Sequence, residues 1–361
     1  MRNLDHAMDD DPVRTSRADC LDLLRFGLAF WVLLAHLSGW AAVPDALALL
    51  MRASRAVFQP AFETHPAVVA FIVLSGYCVH RSGLRRGGVA IRQYAIRRVF
   101  RIAPVFVVAT FVGAAAGLLL LGDKTISLAG LFLKLAGISA FLPPLNRITY
   151  QGNAPLHTVM VEMWLYAIYP LMILALASGW RQSSIWKFLF GVWIVGILVS
   201  RTNGAWTNWW HNGSVFGFVL YWWIGAWFVR GRIEGRRLAQ LAGAWLALTL
   251  LLMSGVTNEL VVVEVRKLIF AGLVGAAIVL MDRETRLPVG RLGRAGYSLY
   301  AFHAPVLMGL IFLGVPWWGV LAGALSAGFV AYVLVEAPLT AVGKRVAAER
   351  GGRAAETRHA F

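Results

Sequence analysis

Apolar runs of transmembrane length recur along the chain and constrain its fold more than any other feature. Hydropathy places them at residues 21–42, 66–82, 99–121, 157–178 and 185–200, then at 214–229, 238–255, 265–281, 296–314 and 316–339. No soluble fold of this size needs so many. The expected class is all-α, a polytopic transmembrane helical bundle of about ten spans. A shorter apolar stretch, 127–142, reads as a re-entrant or interfacial helix ended by Pro143 and Pro144.

Charge patterning sets the orientation. The formal charge of +16 would point to nucleic acid in a soluble protein, but only 14% of residues are charged and the basic ones sit in short connections. With the N-terminus inside, they outnumber those on the opposite side about threefold, so both termini are expected to be cytoplasmic. This divides the chain into an N-terminal tail (1–20), a transmembrane domain (21–339) and a C-terminal tail (340–361), with no nucleic-acid partner. The tail before the first run lacks an apolar core, so the first span is expected to direct insertion. Trp206, Trp209, Trp210, Trp317 and Trp318 suit an interfacial aromatic belt, with a sugar-stacking platform as the alternative. Cys20 and Cys78 have no metal-ligand spacing, and no metal is expected.

The first run, LLRFGLAFWVLLAHLSG, is broken by Arg25 and His36. Eleven residues at about 100° each return the side chain to within roughly 20° of its starting face and carry it roughly 16 Å along the axis. Ionisable groups at such depths cost several kcal/mol unless they face a polar cavity, so this stripe is expected to line the bundle interior. Taken singly, Arg25 could be a snorkelling anchor and His36 a hydrogen-bonded buried imidazole. Taken together, a fixed cation and a deeper proton acceptor suit an anionic molecule that enters from the cytoplasm with a reactive group on a long arm.

Five motifs in order extend the pattern. They are LDLLRFGLAFWVLLAH with Arg25 and His36; FIVLSGY from Phe71 to Tyr77; RRVFRIAP with Arg98 and Arg101; HTVMVEMWLYAIYP with Glu162, Tyr166 and Pro170; and GYSLYAFHAP with His303, followed by Glu336 and Pro338. The chain resembles the acyltransferase 3 family of integral membrane acyltransferases over nearly its whole length. The resemblance implies an acyl-CoA donor, acetyl-CoA first among them, and a hydroxyl of a carbohydrate or glycolipid as acceptor, at the bilayer of a bacterial cytoplasmic membrane. Met160 and Thr158 stand where serines are usual, and Ala304 follows His303 where tryptophan is common.

These motifs assign roles by depth. Arg25, Arg98 and Arg101 near the inner face would hold the donor's phosphates, with Ser75 and His303 also on the donor side. His36 is the candidate general base, and an acyl-histidine intermediate stays open. Glu162, at a similar depth from the outer face, would orient His36 or touch the acceptor. His303 is expected to lie too deep on the donor side to meet His36, and Glu336 to pair with an arginine. Asn146, Gln151 and Asn153 are candidates for the acceptor's hydroxyls, while His65, His80, His157 and His211 read as solvated histidines at helix ends. A transporter or flippase for a lipid-linked glycan or small anion is the alternative function, and a silent membrane scaffold a third.

Overall fold

The structure is a computed structural model, and it describes residues 13–60, 64–84, 90–142, 145, 148–202, 213–230, 234–257, 259–284 and 290–359. Among these the regular structure is entirely helical. In chain order the helices are α1 (Val13–Trp40), α2 (Asp45–Phe58), α3 (Pro66–Leu84), α4 (Ile91–Leu119), α5 (Leu128–Leu135), α6 (Leu156–Ala177) and α7 (Gln182–Thr202). They continue with α8 (Val215–Phe228), α9 (Gly235–Met253), α10 (Leu260–Glu284), the single turn α11 (Gly290–Gly293), α12 (Gly296–Phe312), α13 (Trp317–Ala331) and α14 (Ala337–His359).

Among the described residues five segments are long and apolar enough to cross a membrane: Cys20–Trp40, Ile91–Leu119, Leu156–Ala177, Gln182–Val199 and Trp317–Glu349. Val215–Phe228 and Gly296–Phe312 are equally apolar but shorter. The chain is therefore a helical membrane protein. Arg85, Arg86, Pro143, Pro144, Asn146, Trp206, Trp209, Trp210 and His211 lie outside the described residues.

Helices approach closely where glycine removes the side chain. A Cβ on Gly76 of α3 would lie 1.9 Å from the Trp222 carbonyl oxygen of α8, and one on Gly225 would lie 1.9 Å from that of Val73. The two backbones cross in contact, the small-residue packing that membrane helices use in place of a hydrophobic driving force. At Gly296 a Cβ would lie 2.8 Å from the amide nitrogen of Phe26, which sets the start of α12 beside the second turn of the apolar part of α1.

Besides the early starts of α4 at Ile91 and α10 at Leu260, three elements depart from the hydropathy reading. First, residues read as a plain connection form α2. Its apolar exposed positions Leu49, Leu50, Ala53 and Val57 fall on one face, while half-buried Ala48 and Met51 and the exposed Arg52 and Arg55 turn the other way, toward a cavity. The last carbonyls of α2 are held by the buried Arg266 of α10, whose guanidinium donates to Phe58 O at 3.0 Å and Val57 O at 3.4 Å. A cation at a helix C-terminus satisfies orphan carbonyls and opposes the negative end of the dipole. Second, α1 begins at Val13, well before the apolar run. Third, the last helix passes through a π turn at Tyr332–Glu336 and continues to His359, through residues read as a tail.

Candidate active site

Two cavities among the described residues hold most of the expected site residues. The first is walled by α1, α3, α4, α6 and α12 and encloses about 650 Å³ of empty volume, its mouth included. Arg25, Arg98 and Arg101 line it together with Ser75, Glu162 and Tyr166. This arginine cavity gathers four of the expected donor-side residues and the one carboxylate set among them.

Its polar groups form a continuous chain. Trp222 Nε1 donates to Ser75 Oγ at 3.2 Å, Ser75 Oγ donates to the Tyr166 hydroxyl at 2.9 Å, and Tyr166 donates to the Glu162 carboxylate. Tyr166 and Glu162 are one helical turn apart on α6, which sets them side by side. The Arg98 guanidinium lies over the rings of Tyr166 and Tyr94, 4.9 and 5.6 Å from their centres. Arg25 pairs with Asp22 one turn earlier and donates from Nη2 to Cys78 Sγ at 3.6 Å. Arg101 also lines a neighbouring cavity with Asp22, Arg294 and Glu336, where Glu336 accepts a bond of 2.6 Å from Ser298 Oγ. Three guanidiniums on one wall suit a multiply charged anion, although Asp22, Glu162 and Glu336 stand among them and offset part of their charge.

The second cavity, a wider vestibule of about 1840 Å³ of empty volume, is lined by His36 and roofed by α2. Here His36 Nδ1 lies 2.9 Å from His303 Nε2, and His303 Nδ1 lies 2.7 Å from the carbonyl oxygen of Tyr300. A carbonyl only accepts, so His303 Nδ1 carries a proton. A neutral imidazole has one N–H, which makes His303 Nε2 an acceptor and His36 Nδ1 the donor to it. His36 therefore keeps its lone pair on Nε2, the arrangement a general base requires. Trp40 stacks on the other face of His36, ring centres 4.8 Å apart and 12° from parallel.

The cavities share two lining residues, Thr158 and Tyr300. Tyr300 is fixed by a hydrogen bond from its hydroxyl to Pro155 O at 3.2 Å and by edge contact with Phe71.

The geometry revises several expectations. Arg25 and His36 both face the bundle interior, but they open onto different cavities that meet at Thr158 and Tyr300 rather than onto one corridor. His303 meets His36 directly. The expected separation counted depth from the start of each apolar run, whereas α12 begins level with Phe26. From there His36 is roughly 15 Å along α1 and His303 roughly 10 Å along α12, a gap that two imidazoles span. The hydrogen-bond partner of His36 is His303 rather than Glu162, whose carboxylate belongs to the arginine cavity and accepts from Tyr166. Gln151 and Asn153 do not line the vestibule. Both are buried, with Gln151 Nε2 donating to Ile148 O at 2.8 Å and Asn153 Nδ2 donating to Ala301 O at 3.0 Å. His157, expected to be solvated at a helix end, is buried as well.

The family model for an acyltransferase domain matches residues 19–336. The chain belongs to the acyltransferase 3 family. Neither a curated protein nor a solved structure matches it. The stretch matched to this acyltransferase family runs from just before Arg25 to Glu336 and includes both cavities.

Four positions that line the two cavities were not singled out from the sequence. Tyr300 lies inside the GYSLYAFHAP motif but is overshadowed there by His303. Thr158 was visible only as a departure from a serine pattern. Arg52 and Arg55 belong to α2, whose 3- and 4-residue spacing of apolar positions was the available signal.

Proposed function

We propose that the protein is a membrane O-acyltransferase that moves an acyl group, acetyl first, from acyl-CoA to a hydroxyl of a carbohydrate or glycolipid acceptor. The arginine cavity takes the donor, with Arg25, Arg98 and Arg101 pairing with its phosphates and Ser75 on the wall. The acceptor occupies the vestibule. Its hydroxyl gives its proton to His36 Nε2 as the oxygen attacks the thioester carbonyl. A C–O bond forms, the C–S bond breaks, and the departing thiolate takes the proton from His36 to leave as free CoA. His303 holds His36 in the required tautomer and accepts the N–H bond that strengthens as the imidazole becomes charged.

The observation that carries this reading is the directed chain from His36 through His303 to the Tyr300 carbonyl, set beside an arginine-rich cavity that shares Tyr300 as its wall. In the same reading the helices make about ten spans with both termini cytoplasmic, and the donor enters from the cytoplasm of a bacterial inner membrane. The inward excess of basic residues supports that orientation.

The test is release of CoA thiol by purified protein supplied with acetyl-CoA and a glycan acceptor. His36→Ala is expected to abolish release while donor still binds, and Arg25→Ala to weaken donor binding. Turnover persisting in His36→Ala would end the proposal. A transporter or flippase would instead show flux of a lipid-linked glycan with no thiol release.

A further inference from the structure

The vestibule has a roof whose chemistry the acyl-transfer reading does not use. Helix α2 lies across it with Ala48, Met51, Arg52, Arg55 and Phe58 turned inward, positions three or four residues apart and so on one face. The opposite face carries Leu49, Leu50 and Val57, exposed by 61%, 59% and 36%. An ordinary interfacial helix buries its apolar face in lipid and sends its arginines outward to headgroups. Here the arginines face a cavity beside an imidazole.

Neither guanidinium has an ion pair or hydrogen bond among the described residues, although both line the site. The described residues lining the vestibule include Arg52, Arg55, His36, His65 and His157 and no aspartate or glutamate. Asp45, the acid of α2 itself, lies seven residues before Arg52, roughly 10 Å along the helix. The helix dipole accounts for a cation in the last turn, where Arg55 sits, but not for Arg52 or for their shared direction. The fixed charge comes from these two arginines, since burial pushes His65 down to about 4, with His36 adding to the effect.

The roof is also held in place. Arg266 ties down its final carbonyls, and Trp31 makes edge contacts with both Phe58 and His65, ring centres 5.3 and 5.2 Å away. Trp40, 43% exposed, turns an indole toward the same space. Arg52 and Arg55 are both exposed to this space, and guanidiniums without protein partners bind carboxylate or phosphate through paired N–H donors. Exposed aromatic faces beside them suit the C–H face of a sugar ring.

We propose that the vestibule is selective for an anionic carbohydrate, a glycan whose carboxylate or phosphate pairs with Arg52 and Arg55 while its sugar ring packs near Trp40. This rests on the reading of the vestibule as the acceptor's side. It narrows the acceptor to acidic glycans and assigns their recognition to α2.

Binding and transfer are measured separately, so the two readings can fail independently. Purified full-length protein in detergent is titrated, by calorimetry and tryptophan fluorescence, with a neutral tetrasaccharide, the same tetrasaccharide carrying one glucuronate, and the same carrying one phosphomonoester. At low salt at least one acidic probe is expected to bind about tenfold or more tightly than the neutral one, an advantage that shrinks as salt is raised. The double variant Arg52→Gln/Arg55→Gln should lose that advantage and each single variant part of it, with elution profile and melting midpoint checking the fold. Arg236→Gln, at the start of α9, should bind as the unsubstituted chain does. Preference for glucuronate identifies an acidic sugar, and preference for the phosphomonoester a phosphorylated glycan. Equal binding of all three probes, or an acidic preference that survives in the double variant, overturns the proposal. CoA release is followed in parallel: acidic-probe binding without release with any acceptor would sink the acyltransferase reading and leave this one standing.

Discussion

His303 Nε2 accepts a hydrogen bond from His36 Nδ1 at 2.9 Å, and its own Nδ1 proton is held by the Tyr300 carbonyl one helical turn earlier. The tautomer of the His36 imidazole is thus set by a main-chain oxygen two links away. His303→Ala is expected to lower kcat for acyl transfer by a factor on the order of 100 to 10,000 with donor binding unchanged, the scale on which a base loses its orienting partner. His303→Gln, which keeps an acceptor oxygen, should retain more activity than alanine. Steady-state kinetics on both variants checks the order.

Tyr300 stands in the wall between the cavities and is held there through its hydroxyl by Pro155 O. Tyr300→Phe keeps the ring but removes that bond, with an expected loss of about 1 kcal/mol in stability. Tyr300→Ala opens the wall. Hydrolysis of acetyl-CoA in the absence of acceptor should then rise relative to transfer, which a thiol assay with and without glycan reads directly.

Pro305 has no N–H to give to the carbonyl four residues earlier, that of Ala301, inside the helix that carries His303. Asn153 Nδ2 supplies the missing donor at 3.0 Å. Asn153 is itself held by its main chain, whose carbonyl accepts from the buried Lys134 Nζ at 2.7 Å. Asn153→Ala should destabilise the fold by about 1–3 kcal/mol, the cost of leaving a buried acceptor without its partner. Thermal unfolding in detergent measures it.

The crossing of α3 and α8 leaves no room for a methyl group at Gly76 or Gly225. Alanine at either position is expected to displace the helices and prevent recovery of monodisperse protein. Gly243 lies inside α9 with nothing within 4 Å of an added Cβ, and Gly243→Ala should be neutral or stabilising by about 0.5–1 kcal/mol. Size-exclusion profiles and melting midpoints separate the two cases.

Arg266 is 2% exposed and reaches from α10 to the end of α2. Arg266→Met keeps much of the bulk but frees the carbonyls of Val57 and Phe58. Amide exchange in α2 should accelerate while that of α10 stays slow, and mass-spectrometric hydrogen exchange resolves the two.

Much of this architecture could be read from the sequence, and what could not has a common cause. Apolar runs report immersion directly, so α8 and α12 appear within one or two residues of the expected bounds. Residues that break such a run, Arg25 and His36, announce a polar interior because their alternative is costly. Partnership is different. Whether His303 meets His36 depends on where α12 begins relative to α1, and that offset is set by the contact of Gly296 with Phe26, which no hydropathy profile contains. Glu162 lines the arginine cavity, and its bond to Tyr166 follows from one-turn neighbourhood on α6 rather than from depth. The amphipathic α2 was hidden by its shortness: at fourteen residues it shows neither a spanning run nor a plain polar loop.

The shared wall of Thr158 and Tyr300 has a kinetic corollary. On the proposed reading donor and acceptor lodge in adjoining rooms and do not exclude one another, so direct transfer proceeds with both bound, whereas an acyl-histidine intermediate would not require it. Initial-rate lines at several fixed donor concentrations should intersect rather than run parallel, and a dead-end analogue of either substrate should leave the other's site unobstructed.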